Sequence, residues 1–124
     1  MKELTKSEEQ IMRILWDIGK GFVNDILEKF PPPKPAYNTV STIVRILEKK
    51  GFVSHKAYGK THEYFPLISK KAYTKTFLKG FLNNYFSNSY KQLVSFFSND
   101  NSLSIEEMEE IKQMMEEQIK KKKQ

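Results

Sequence analysis

The chain has 124 residues, the length of one domain or of one small domain with an appendage, and 39% of them are hydrophobic, enough for a core but not a generous one. It has no cysteine, which excludes disulfides and thiolate metal sites, and no stretch approaches the ~20 apolar residues of a membrane span. The net charge of +6 favours an anionic partner, but four of those cations form the run at residues 120–123, so the placement of charge must decide.

The opening Met1-Lys2-Glu3-Leu4-Thr5 lacks the apolar core of a signal peptide, and the expectation is a soluble, cytoplasmic protein. Thr5 and Glu8 then have capping-box spacing, with Ser7 and Glu9 in the first turn. Ile11, Met12, Leu15, Trp16 and Ile18 follow with helical periodicity, and Gly19 and Gly21 bracket the stop. A short second helix is predicted near residues 22–30, with Val23, Ile26, Leu27 and Phe30 inward. Pro31-Pro32-Pro33-Lys34-Pro35 cannot continue it and reads as a stiff connector.

The third helix is predicted from near Tyr37 to Gly51. Wound at about 100° per residue, it places Ala36, Val40, Ile43, Val44 and Leu47 on one face. Asn38, Ser41, Thr42, Arg45 and Lys49 fall on the other, with Glu48 toward the edge. A solvated face ordinarily mixes Glu with Lys; a face of amides, hydroxyls and cations suits base edges and phosphates in a major groove. Asn38, Thr39, Thr42 and Arg45 are the candidate base readers, Arg45 reaching either a base or a phosphate. Ser41, Lys49 and Lys50 are candidate phosphate contacts, and Tyr37 is a candidate for stacking on sugar-phosphate or for a core anchor.

A hairpin follows, with strands predicted at residues 52–58 and 61–65, Gly59-Lys60 as the turn, and Pro66 ending the return strand. Lys56, Lys60 and His62 on this wing are candidate backbone contacts. Three short helices and a hairpin give the order of a winged helix-turn-helix, whose third helix enters the major groove. The fold class is mainly α with a small β-hairpin: a winged-helix DNA-binding domain at residues 1–68, then helical dimerisation elements at 69–124.

In that second part Tyr73, Phe77, Phe81 and Tyr85 recur every four residues. Tyr90, Leu93, Val94 and Phe97 make another stripe, and Ser104 with Glu107 forms a second capping box. Ile105, Met108, Ile111, Met115 and Ile119 complete a last helix, beyond which the lysines are expected to fray. Such helices are too short to enclose a core of their own. Their stripes need a partner, either the N-terminal domain or the same helices of a second copy; the second is favoured, with Tyr73, Phe77, Phe81, Tyr85, Leu93, Phe97, Met108, Ile111 and Met115 at a homodimer interface.

Several of these strings resemble a known family. Thr5-x-x-Glu8…Ile11-Met12…Leu15-Trp16, the run from Ala36 through Leu47-Glu48-Lys49-Lys50-Gly51-Phe52-Val53, and Tyr64-Phe65-Pro66 are similar to the penicillinase and methicillin-resistance repressors. The likeness extends over nearly the whole chain. It implies a dimeric bacterial repressor on a palindromic double-stranded DNA operator, controlling antibiotic resistance. It further implies release when a membrane sensor metallopeptidase detects a β-lactam and the repressor is cleaved in its C-terminal region. Two departures stand out. Relatives commonly carry a basic residue or threonine at the position of Asn38. Their cleavage point joins Asn to Phe, where this chain has Ser95-Phe96 as the candidate. The cysteine pairs of the copper-responsive branch are absent.

No catalytic constellation, phosphate loop or cofactor motif is present, so the reading is a non-enzyme without cofactors. The two histidines, His55 and His62, lie on opposite arms of the hairpin; even with Glu63 adjacent, they make no metal site by themselves. Two other classes stay open: a helical protein-interaction adaptor, indifferent to salt, and a protein docking on an acidic membrane surface without insertion. Lys70, Lys71, Lys75 and Lys79 among the aromatics favour the second, whereas the six acids from Glu106 to Glu117 oppose it.

Overall fold

Residues 3–124 are described in a computed structural model of the chain; Met1 and Lys2, part of the opening read above as no signal peptide, lie outside them. The first helix, α1 (Lys6–Ile18), begins where Thr5 and Glu8 cap it reciprocally. Thr5 Oγ1 accepts from the Glu8 N–H at 3.2 Å, and Glu8 Oε1 accepts from the Thr5 N–H at 2.8 Å. Gly19 ends the helix at φ 84°, a backbone region that disfavours any side chain. A Cβ at Gly21 would sit 2.8 Å from Ile18 Cδ1 and 3.1 Å from Asp25 Cβ, so a side chain there would push the end of Ile18 aside. Its backbone pairs with that of Tyr64, N–H to carbonyl at 2.9 and 2.8 Å in the two directions.

Helix α2 (Val23–Glu28) is short, and the connector at residues 31–35 leads into α3 (Tyr37–Lys49). Strands β1 (Val53–Tyr58) and β2 (Thr61–Pro66) pair antiparallel, with Val53 opposite Pro66 and Tyr58 opposite Thr61. One core joins these elements: Ile11, Met12 and Leu15 from α1, Ile26 from α2, Val40, Val44 and Leu47 from α3, then Phe52 and Val53. Each is essentially removed from water, and burying such a side chain contributes about 1.5–3 kcal/mol.

Helix α4 (Lys70–Phe86) belongs partly to this core. Tyr73 lies with its ring centroid 5.8 Å from Trp16 and 6.0 Å from Phe52. Trp16 Nε1–H donates to the Ile68 carbonyl at 2.9 Å. The first compact unit therefore ends at Thr76, inside α4, rather than after residue 68. Tyr73, expected at a dimer interface, is instead an aromatic anchor of the first unit, only 9% exposed.

The second unit, Phe77–Gln124, holds the rest of α4 with α5 (Tyr90–Asn99) and α6 (Ile105–Lys123). Ser87 and Asn88, at φ 50° and 62°, make the turn into α5. Ser89 Oγ accepts the Gln92 N–H at 3.1 Å. The Ser104–Glu107 capping box opens α6. Contrary to the expected fraying, α6 stays helical through Lys123; cations in a last turn complement the exposed carbonyls of a helix end. Within this unit Leu82 is well buried, and Phe81, Phe86 and Phe96 form a chain of ring contacts at 5.6 and 5.8 Å.

Candidate nucleic-acid interface

Helix α3 is pinned by Val40, Val44 and Leu47 on one side, which aims the opposite side outward. Asn38, Thr42, Arg45 and Lys49 are all exposed there, with no acid among them. Thr42 Oγ1 donates its proton to the Asn38 carbonyl at 2.8 Å. Its oxygen is thereby left as an outward acceptor beside its methyl group. Two features were missed in the sequence. Ile46, beside Thr42 on the helix surface, is 41% exposed and adds an apolar contact to the strip. Ala36 is the N-cap and offers no side-chain bond, so the first N–H groups of α3 stay available. The signal for the second was an alanine where Ser, Thr or Asp would ordinarily cap.

The flanks are less uniform. Ser41 is nearly buried and lines a cleft between α2, α3 and the hairpin, together with Tyr37, Arg45, His62 and Tyr64. Burial raises the Tyr64 hydroxyl above its usual range, the Glu48 charge adds to this, and the Arg45 guanidinium opposes it. Thr39, grouped with the base readers, lines instead a groove with the prolines of the connector and Ile43. Lys50, expected on phosphate, is committed elsewhere: its Nζ lies 2.8 Å from Glu8 Oε1 and ties the end of α3 to the start of α1. Burial of the Glu8 carboxyl opposes ionisation, yet the Lys50 ammonium and the Thr5 bonds hold it below the usual carboxylate range.

The wing candidates do not share a face. Side chains alternate along a strand. His62 pairs across from Ala57, on the face that also carries Tyr64, whereas Lys56 pairs across from Glu63 on the other. Lys56 Nζ sits 5.2 Å from the centre of the Tyr58 ring, and Glu63 lies 3.9 Å from Lys20 Nζ. Lys60 is exposed at the turn. His55 and His62 stack on each other at 4.0 Å. Among the described residues no group of three or more His, Cys, Asp or Glu side chains could hold a metal ion.

In the second unit, Phe77, Tyr85, Phe97, Ile111 and Met115 are exposed, while Phe81, Leu93 and Met108 are half-buried. Ser95 and Phe96 are exposed in the middle of α5, not in a loop. Among the described residues no helix is long and apolar enough to cross a membrane.

The penicillinase repressor family model matches residues 4–117. The chain is 27% identical to the methicillin resistance regulatory protein MecI of Staphylococcus aureus (strain N315) over 114 residues, 91% of this chain and 93% of that one. It is 25% identical to the penicillinase repressor of Bacillus licheniformis over 122 residues, 98% of this chain and 95% of the relative. The solution structure of the DNA binding domain of the repressor BlaI superposes with a TM-score of 0.50 at 23% identity, covering 59% of this chain and 94% of that domain. The last likeness is one of fold: helices followed by a winged hairpin.

Proposed function

The chain belongs to the penicillinase repressor family, a family of transcriptional repressors and not of enzymes, and from that premise we propose that it represses as a homodimer on a palindromic operator read by α3. One observation carries this reading: the outward strip of Asn38, Thr42, Arg45 and Lys49, free of acids, on a helix whose other side is fixed in the core. In a major groove Asn38 suits adenine, Arg45 suits guanine or a phosphate, and the methyls of Thr42 and Ile46 suit thymine. Lys49, Lys60 and the free N–H groups at the start of α3 suit the phosphate backbone. Lys50 is left out of this set because Glu8 holds it.

The exposed apolar side chains of the second unit support pairing with a second copy. Helix α6 has Glu106 and Glu107 in its first turn and Lys120 through Lys123 in its last. An antiparallel pair of α6 helices about a two-fold axis sets acids against cations at both ends. In this reading the protein is cytoplasmic, and a membrane sensor metallopeptidase releases the antibiotic-resistance genes by cutting between Ser95 and Phe96. A peptidase takes its substrate extended, so α5 must unwind locally before that cut.

The direct test is a gel-shift titration of the full chain. A duplex is first selected by the protein from a random pool, then compared with its scrambled counterpart. The expected result is 10³-fold or greater preference for the selected duplex, the lower end of about 10³–10⁷ for specific binders. Equal affinity for both duplexes removes the repressor reading and leaves the adaptor.

A further inference from the structure

A chain of three side chains links the hairpin to α3. Glu48, next to the end of α3, accepts a hydrogen bond from His55 Nδ1 at 2.5 Å. His55 lies flat on His62, with ring centroids 4.0 Å apart and planes 6° from parallel. The two histidines are not direct cross-strand partners, since His55 faces Tyr64 and Ala57 faces His62. They are a diagonal pair on one face of the ladder, within reach of planar side chains. Tyr64 closes the arrangement at 5.6 Å from His55 and 6.2 Å from His62. Arg45, Lys60 and Asp25 are the charged groups that line the same cleft as His62.

The arrangement is too exposed to matter much for global stability. The Glu48 and His55 side chains are 32% and 29% exposed, and an ion pair at such a site contributes about 0–1 kcal/mol. Its effect is on position. A two-stranded hairpin is marginal alone. Here its base is fixed by Val53 and Tyr64 in the core, but its tip, at Gly59 and Lys60, is free of core contacts. The Glu48–His55–His62 chain reaches from the recognition helix along the hairpin toward that tip. The Nδ1 proton of His55 is set by the carboxylate, which fixes the ring, and the fixed ring sets the plane of His62.

We propose that Glu48, His55 and His62 are positioning residues that hold the wing at a set distance from α3, so that Lys60 and the α3 strip engage one duplex together. The proposal rests on the DNA-binding reading above. A wing free to tilt must be ordered at the moment of binding, and that ordering is subtracted from the affinity each phosphate contact supplies. Glu48, which lies at the edge of the reading face and looks unfavourable beside phosphates, is thereby given a role as the hydrogen-bond acceptor that holds His55.

The test combines Lys60→Ala with Glu48 variants of the full chain, on a duplex that the wild-type protein has selected from a random pool. In the wild-type background Lys60→Ala weakens binding several-fold and lowers the salt slope by about 1. Glu48→Ala gives a similar loss, and in its presence Lys60→Ala adds nothing. Glu48→Gln keeps wild-type affinity, because its amide oxygen accepts the same hydrogen bond. Wild-type affinity in Glu48→Ala, or an equal Lys60→Ala loss in both backgrounds, overturns the clamp while leaving the DNA reading intact. Failure of the wild-type chain to select any duplex overturns the DNA reading instead. Amide exchange in the free protein tests the clamp without DNA: Glu48→Ala speeds exchange across β1 and β2 and leaves α1 unchanged, and unchanged hairpin exchange overturns it.

Discussion

Thr42 and Arg45 sit one turn apart on the same strip, but they test different things. Thr42 has already spent its proton on the Asn38 carbonyl, so in the proposed complex only its methyl and its oxygen lone pairs are left to meet a base. Thr42→Ala is expected to cost about 1–3 kcal/mol on the selected duplex and little on a scrambled one. Arg45→Ala costs a similar amount on the selected duplex alone if the guanidinium reads guanine, and weakens both duplexes alike if it holds a phosphate. The same titration reads both variants. Glu8 belongs to the same scale, but it acts through the fold. Its carboxyl accepts from Thr5 and from Lys50 and titrates below the ordinary value of 4.5. A depressed pKa in the folded state means that the stabilisation is complete above the unfolded value and is lost as pH falls through the folded one. Hydrogen bonds to charged groups are worth roughly 1.5–3 kcal/mol, so Glu8→Gln should lower the urea midpoint clearly at pH 7. The gap should close well below pH 4. A gap that persists at low pH would show that Lys50 is not stabilised by the ionised carboxylate.

At the scale of elements, Tyr73 decides where the first unit ends. Its ring lies on Trp16 and Phe52, although four-residue spacing groups it with Phe77, Phe81 and Tyr85. Truncating a buried aromatic costs about 3–5 kcal/mol, so Tyr73→Ala should lower the melting temperature of a fragment ending at Thr76 by well over 5 °C. A fragment ending at Ser69 should be destabilised to a similar degree, and equal melting of the two fragments would remove Tyr73 from the core. The case also shows what the sequence carries and what it hides. Capping boxes at Thr5 and Ser104, the glycine stop at Gly19 and the hairpin turn are local signals, and the elements they mark are found where the local chemistry puts them. The inward face of α3 was legible for the same reason, because Val40, Val44 and Leu47 repeat with the helix. The commitments of single side chains were not. Nothing near Lys50 in the chain announces Glu8, 42 residues away, and although the two-residue turn puts His55 and His62 on one face of the hairpin, nothing in the strands announces the Glu48 carboxylate that holds His55. Those pairings depend on tertiary geometry, and so does the handing of Tyr73 from one stripe to another core.

For the whole molecule, the proposed dimer turns weak half-site contacts into a tight complex. When one protomer is bound, the second meets its half-site at a high effective concentration, and the gain is lost if the protomers separate. Several phosphate contacts per protomer, doubled, also make the complex steeply sensitive to salt: 6–10 contacts correspond to a loss of about 10³–10⁵ in affinity between 50 and 200 mM salt. Cutting between Ser95 and Phe96 removes Phe96, Phe97 and all of α6, with Met108, Ile111 and Met115, from the covalent chain. The cut chain retains the first unit, and with it α3 and the wing. Its sedimentation should therefore be that of a monomer with intact winged-helix secondary structure. Its affinity for the full palindrome should fall at least 10²-fold, toward its affinity for a single half-site. Its salt slope should roughly halve, because half the phosphate contacts remain. The halved slope separates loss of dimerisation from loss of folding, since an unfolded reading domain would abolish specific binding altogether. A cut chain that stayed dimeric and kept the full slope would refute both the interface assigned to the second unit and proteolysis as the route to induction.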